Sequence, residues 1–337
     1  MLESNRLSYH VQKFFQDYLR AHRGLSGNTV FAYRDALKLF LAFLAKHTGR
    51  QVARLSMDAL NAENVLAFLA DIEKTRQCAV ITRNLRLSSL RTFFGYLVMQ
   101  DTLHADQYQR VMSIPLKQSS RRMVEYLDVR EVNAIMDSID RNGKTGRRDY
   151  TLLNFLYNTG ARVQEACDLR VENIHFESPP LVTITGKGRK TRQVPLWQDT
   201  ATLLKSYISG RDPINTSSNA VFLNTQGHPL TRFGVRHIIK TRTAAAVRCC
   251  PSLAKKKVGP HTFRHTTAMH LLQSGVDLTV IKNWLGHVNL DTTHAYVEID
   301  FEMKEKALSS YEPASKVGNL KHLVKQNEDV ISWLESI

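Results

Sequence analysis

The feature that most restricts this chain is an interruption. Between about Asp101 and Met123 the apolar periodicity fades, and Pro115, Ser119, Ser120, Arg121 and Arg122 occupy the gap. A chain of 337 residues is long enough to bury a separate core on each side of it. The expected organisation is a helical domain over residues 1–100, a linker over 101–123, a second domain over 124–300 and a tail over 301–337. The overall class is mainly α with a small β-sheet or hairpin.

Helical periodicity accounts for the first domain, with helices expected over 8–21, 28–46, 58–73 and 80–98. Within it, Leu25-Ser-Gly-Asn-Thr29 is followed by Tyr33, Leu37, Phe40 and Leu44. On the last helix Leu85, Leu90, Phe94 and Leu97 are assigned to one face. Thr82, Arg83, Arg86 and Ser89 then project elsewhere, where they would meet phosphates or simply form a solvated face.

In the second domain Leu127-Asp-Val-Arg-Glu131 opens a helix with acidic residues near its start. The apolar run Leu152, Leu153, Leu156 is broken at Gly160, and a new helix begins. Arg162 therefore stands near a helix N-terminus, a setting already favourable for anions. Residues 181–196 form two short β-rich runs around Gly186-Lys187-Gly188, the pattern of a β-hairpin. Thr231 to Lys240 reads as a basic amphipathic helix carrying Arg232, Arg236 and Lys240, and Lys255-Lys256-Lys257 follows; DNA contact and a solvated surface both remain open for these groups.

Forty-six lysines and arginines against 31 acidic residues give a formal charge of +15. The pI is near 9.7. Positive residues occur in both halves, which favours a polyanionic partner, nucleic acid first among them. No apolar run of about 18 residues and no signal-peptide core at Met-Leu-Glu-Ser-Asn-Arg are found, so a cytoplasmic, nucleoid-associated protein is expected. Cys78, Cys167, Cys249 and Cys250 have no Cys-x-x-Cys spacing, which predicts reduced thiols. His261 and His265 have the i, i+4 spacing of a zinc helix, but Thr262 stands where a zinc hydrolase needs glutamate, and no metal is expected.

The densest chemistry lies late in the chain. His261-Thr-Phe-Arg264, Leu285-Gly-His287 and Tyr296 supply two imidazoles, a guanidinium and a phenol within about one-tenth of its length, a set suited to a phosphodiester. A nucleophile alone is repelled by phosphate charge, which guanidinium groups neutralise in a bidentate fork. A lysine tethered at the hairpin tip suits a proton donor that follows a departing oxygen.

The order Arg162, Lys187, His261-x-x-Arg264, Leu285-Gly-His287, Tyr296 resembles the tyrosine recombinase (phage integrase) family, most closely its Xer-like and transposon-associated members. The resemblance covers roughly 125–300 by motif; residues 8–100 resemble, by a weaker pattern, the family's helical SAM-like core-binding domain. It implies a DNA strand transferase without cofactor, in which Tyr296 attacks the scissile phosphate and forms a 3′-phosphotyrosyl link. Arg162 and Arg264 would hold the non-bridging oxygens, His261 would assist deprotonation, Lys187 would protonate the leaving 5′-oxygen and His287 would hydrogen-bond the phosphate. Glu165 either orients these groups or is a plain surface carboxylate. Several donors are needed, because the barrier must fall by upwards of roughly 15 kcal/mol and one preorganised donor supplies about 3 to 4.

The implied partners are double-stranded recombination sites and further copies of the chain, a tetramer on two sites, with room for an accessory or partner recombinase. Val330, Ile331, Leu334 and Ile337 share one face of a C-terminal helix that would dock on a neighbour or on its own chain. Integration, excision, transposition and resolution all remain open. So do two other classes: a monomeric topoisomerase of the same chemistry, disfavoured by the compact layout, and a non-catalytic DNA-binding protein, disfavoured by six intact catalytic-type positions.

Overall fold

A computed structural model describes residues 6–118, 125–211 and 218–286, and the chain divides into two compact units at residues 122 and 123. His287, Tyr296 and the tail residues singled out above lie outside the described residues.

The first unit is helical throughout: α1 (Arg6–Lys13) running on into a π-helical turn (Phe14–His22), α2 (Gly27–Thr48), α3 (Ala62–Arg76), α4 (Val80–Gln100) and α5 (Ala105–Met112). Ser26 caps α2, accepting the amide of Thr29 at 3.4 Å, and Leu37, Phe40 and Leu44 are buried. Helix α4 departs from expectation. Its buried line is Arg83, Leu87, Leu90, Phe94 and Leu97, whereas Leu85 is 64% exposed. Steps of four and three residues keep one helical face, and the five-residue step from Leu85 to Leu90 does not.

The same geometry removes Arg83 from the surface. It is 4% exposed, and its Nη1 donates to Asn84 Oδ1 at 3.0 Å and towards the Pro115 carbonyl at 3.5 Å. Its guanidinium is thus turned into the unit and not onto the solvated face on which a phosphate contact was expected. Arg86 is half-buried, its Nη1 2.9 Å from Cys78 Sγ.

The expected linker also shrinks. Helix α5 buries Tyr108 and Val111 in the core of the first unit, and Ile114 joins them. The Tyr108 hydroxyl donates to the buried Asp101 carboxylate at 2.9 Å. Arg91 donates to the Ile114 carbonyl, and Asn84 exchanges two hydrogen bonds with the backbone of Lys117, at 2.8 and 3.2 Å. Residues 101–117 therefore belong to the first unit. With only two core side chains, α5 carries too little apolar pattern to announce itself.

The second unit contains α6 (Val129–Asp137), α7 (Lys144–Thr159), α8 (Val163–Cys167), β1 (Ile174–His175), β2 (Leu181–Thr185), β3 (Thr191–Pro195), α9 (Gln198–Ser209), α10 (Arg232–Ala246), α11 (Pro260–Gln273) and α12 (Leu278–Leu285). Asp128 and Glu131 form a capping box at the start of α6. Strands β2 and β3 pair antiparallel with Ile184 opposite Arg192, and β1 adds a short third strand beside β2. Leu152, Leu153, Phe155 and Leu156 of α7 meet Val182, Ile184 and Val194 of the sheet, Val235 and Ile239 of α10 and Phe263 of α11 in one core.

Two glycines fix the approach of distant segments. Gly160 ends α7 at φ +58°, and a Cβ there would lie 2.5 Å from Leu285 Cδ2. Gly286 ends α12 at φ +64°, where a Cβ would lie 3.1 Å from Arg192 Cδ. Each position needs a left-handed residue without a side chain.

Candidate active site

The last carbonyls of a helix have no partner within it, and they form the negative end of its dipole. At the end of α12 three arginines meet this need. Arg192 Nε donates to Trp284 O at 2.8 Å, Arg264 Nη2 to Leu285 O at 2.6 Å and Arg162 Nη2 to Gly286 O at 3.2 Å. Arg264, 4% exposed on α11, also donates from Nη1 to the Gly160 carbonyl at 2.7 Å. Residues about a hundred positions apart thus converge on the backbone immediately before His287.

Arg162 occupies the N-cap position of α8, as its setting after Gly160 predicts. Glu165 is buried at 7%, so its reading as a surface carboxylate is set aside. Its Oε1 accepts from Arg162 Nη1 at 2.8 Å and Arg192 Nη1 at 3.2 Å; its Oε2 accepts from the Arg162 amide at 2.8 Å and Arg192 Nη2 at 2.7 Å. Burial alone would raise the Glu165 pKa, but the bonds and charge of Arg192, then those of Arg162, outweigh it and hold the carboxyl below its ordinary value.

His261 opens α11. Partial burial, then the charges of Arg264, Arg162 and Arg236, lower its pKa below the usual histidine value, which favours the uncharged imidazole. Lys187 lies in the hairpin turn Lys187–Arg189, and its side chain is outside the described part. Its neighbour Gly186 fixes where the turn stands: a Cβ there would be 3.1 Å from Glu165 Oε1 and 3.8 Å from Arg162 Nη1.

One turn further along α11, His265 has its ring centroid 6.4 Å from that of His261, and burial, followed by the charges of His261 and Arg264, lowers its pKa to about 4. Because the unfolded chain binds this proton near pH 6.5 and the folded chain does not, stability is full above 6.5 and is lost as pH falls towards 4. Thermal midpoints measured across this window are expected to fall more steeply for the parent than for His265→Gln; equal slopes would remove His265 as the cause. Among the described residues no group of three or more His, Cys, Asp or Glu side chains could hold a metal ion.

Arg232, Arg236 and Lys240 are exposed along one face of α10, opposite the buried Val235, Ile238 and Ile239. Thr231 caps this helix, accepting the Gly234 amide at 3.2 Å. Lys255 is exposed as well, whereas Lys256 is not the free cation expected of it. Its Nζ donates to the buried Glu131 carboxylate at 2.5 Å and to the Tyr126 carbonyl at 2.8 Å. A buried carboxylate at the start of α6 needs a counter-charge, and the middle lysine of the run supplies it.

Arg192 escaped the sequence reading. A signal was present: it stands two residues before the buried Val194 on the same strand face, and an arginine at a core-facing strand position needs a partner.

A mainly helical unit with a three-stranded sheet and arginines gathered at a helix end, following a separate helical unit, defines a class that the known sequences carry. The phage integrase family pattern matches residues 125–303, and that of the phage integrase N-terminal SAM-like domain matches 12–101. The putative integrase/recombinase y4rC of Sinorhizobium fredii is 34% identical over 327 residues, 97% of each chain. Tyrosine recombinase XerD of Oceanobacillus iheyensis is 31% identical over 312 residues, 91% of this chain and 99% of that one. The chain belongs to the phage integrase family and is a tyrosine recombinase, an enzyme of site-specific DNA recombination. Its fold is shared with the XerH site-specific recombinase bound to palindromic difH in a post-cleavage complex, with a TM-score of 0.71 at 24% identity over 85% of this chain and 81% of that one. The Tn1549 transposon integrase in complex with a circular intermediate DNA gives 0.71 at 15% identity, over 88% and 98%.

Proposed function

We propose that the chain cleaves and rejoins duplex DNA at a recombination site through a 3′-phosphotyrosyl intermediate, acting as a tetramer on two sites. In this reading the helical unit and the catalytic unit both hold the duplex. The observation that carries it is the gathering of Arg162 and Arg264 on the helix end directly before His287.

The chemistry follows from these parts. Tyr296 Oη bonds to phosphorus as the bond to the 5′-oxygen breaks; its proton leaves with the help of His261, and Lys187 protonates the departing oxygen. A phenol with an ordinary pKa near 10 needs such help at neutral pH. Arg162, Arg264 and His287 take up the charge on the non-bridging oxygens. The phosphoester bond energy stays in the enzyme–DNA link, so a different 5′-hydroxyl reverses the step without a nucleotide cofactor. Arg232, Arg236, Lys240 and Lys255 lend a basic exposed surface that suits the flanking phosphates, and Arg236 is close enough to His261 to perturb it.

Incubating the protein in EDTA with nicked fragments of genomic DNA from its own source is the test. A covalent adduct on a denaturing gel is expected, with a free 5′-hydroxyl that a kinase labels and a DNA-linked peptide containing residue 296. Absence of an adduct, or a link through another residue, would sink the reading. Recovered fragments identify the site, and circles carrying two copies distinguish exchange from relaxation.

A further inference from the structure

The Glu165 carboxylate is satisfied by four donors, and two of them belong to Arg192. Two guanidiniums share one carboxylate, so the cluster keeps one positive charge. Exposure decides where that charge is felt: the Arg162 side chain is 35% exposed, those of Arg192 and Glu165 only 11% and 5%. A carboxylate paired with Arg162 alone would cancel the charge that a phosphate needs. With Arg192 as its principal counter-ion, the same carboxylate can aim Arg162 without neutralising it.

We propose that Arg192 is a positioning residue for phosphate binding: it neutralises Glu165 so that Arg162 is held in place yet left charged toward the DNA. Its Nε bond to the Trp284 carbonyl and the close approach of Gly286 fix it from the other side. Strand β3 thereby joins the hairpin to the helix end that seats Arg264 and Arg162. Lysine has the charge but not the planar fork, and cannot reach both oxygens and the carbonyl together.

The inference rests on the strand-transfer reading, and its test separates the two. Arg192→Gln and Arg192→Lys are compared with the parent on a duplex recovered from the parent's own adducts. At saturating DNA, Arg192→Gln is expected to form adduct about 10- to 100-fold more slowly, as when a partner that orients a charged ligand is removed. DNA affinity is expected to stay within about threefold, and the lysine variant to fall between the two. The decisive substrate carries a methylphosphonate at the scissile position. With one non-bridging charge removed, the Gln variant should approach the parent rate, while a bridging 5′-phosphorothiolate, which relieves only the need for a proton donor, should leave the deficit unchanged.

A deficit that persists on the methylphosphonate, or none on ordinary DNA, overturns the proposal. If the Gln variant does not fold, the lysine variant carries the same comparison. A parent that forms no adduct defeats the strand-transfer reading instead. The electrostatic claim is then judged by phenylglyoxal modification of Arg162, mapped by mass spectrometry: Arg192→Gln is expected to slow it, because Glu165 then engages Arg162 alone, and an unchanged rate refutes it.

Discussion

Tyr296→Phe is expected to bind duplex DNA as tightly as the parent and to form no covalent adduct. The expected loss is complete, because the phenyl ring has no oxygen with which to displace the 5′-oxygen, whereas its size and apolar character are kept. Binding survives because the cations that meet phosphates are untouched. Two other tyrosines of the catalytic unit are committed elsewhere. Tyr157 hydrogen-bonds His270 Nδ1 at 2.7 Å, and burial raises its pKa, while Tyr150 lies under the Arg141 guanidinium at 3.9 Å. Filter binding and a denaturing gel on one preparation check both halves; any adduct above background would transfer the nucleophile to another side chain.

Arg264→Ala has the second largest expected effect. The side chain is a phosphate ligand in the proposed reaction and also bridges Gly160 O to Leu285 O within the core. Removing one preorganised donor slows the chemical step by about 10²- to 10³-fold. Leaving two carbonyls without a partner adds about 1–3 kcal/mol of destabilisation for each that water does not reach, so the loss should exceed that of Arg162→Ala. Single-turnover cleavage at saturating DNA, with thermal midpoints alongside, measures both parts. The double variant Arg162→Ala/Arg264→Ala is expected to fall short of the product of the single losses, since in the proposed reaction both act on one phosphate from one helix end. A loss under about tenfold for Arg264→Ala would exclude it from the reaction.

Much of this architecture was legible before any coordinate. The helix opening with acidic residues at Leu127-Asp-Val-Arg-Glu131, the break at Gly160 and the hairpin around Gly186-Lys187-Gly188 are local events, decided by residues within a few positions of one another, and the structure reproduces them. What escaped was decided at a distance. Arg83 and Lys256 are basic residues in basic stretches, and only the packing of Pro115 and Glu131 against them turns them from candidate DNA ligands into internal partners. Helix α5 shows two apolar residues, and its place in a core depends on what α4 presents. The candidate site divides the same way. Arg162 and Arg264 follow from motif and spacing, whereas Arg192 is tied to them only through a carboxylate 27 residues away and a carbonyl 92 residues away.

Seating three guanidiniums on successive carbonyls of α12 makes this eight-residue helix intolerant of any change in length. One inserted residue would turn its far end by about 100° and advance it by about 1.5 Å, withdrawing all three acceptors in a single event. Elsewhere an added residue is absorbed by a loop. Relatives that diverge through insertions and deletions should therefore vary freely around this element while conserving the count of residues within it.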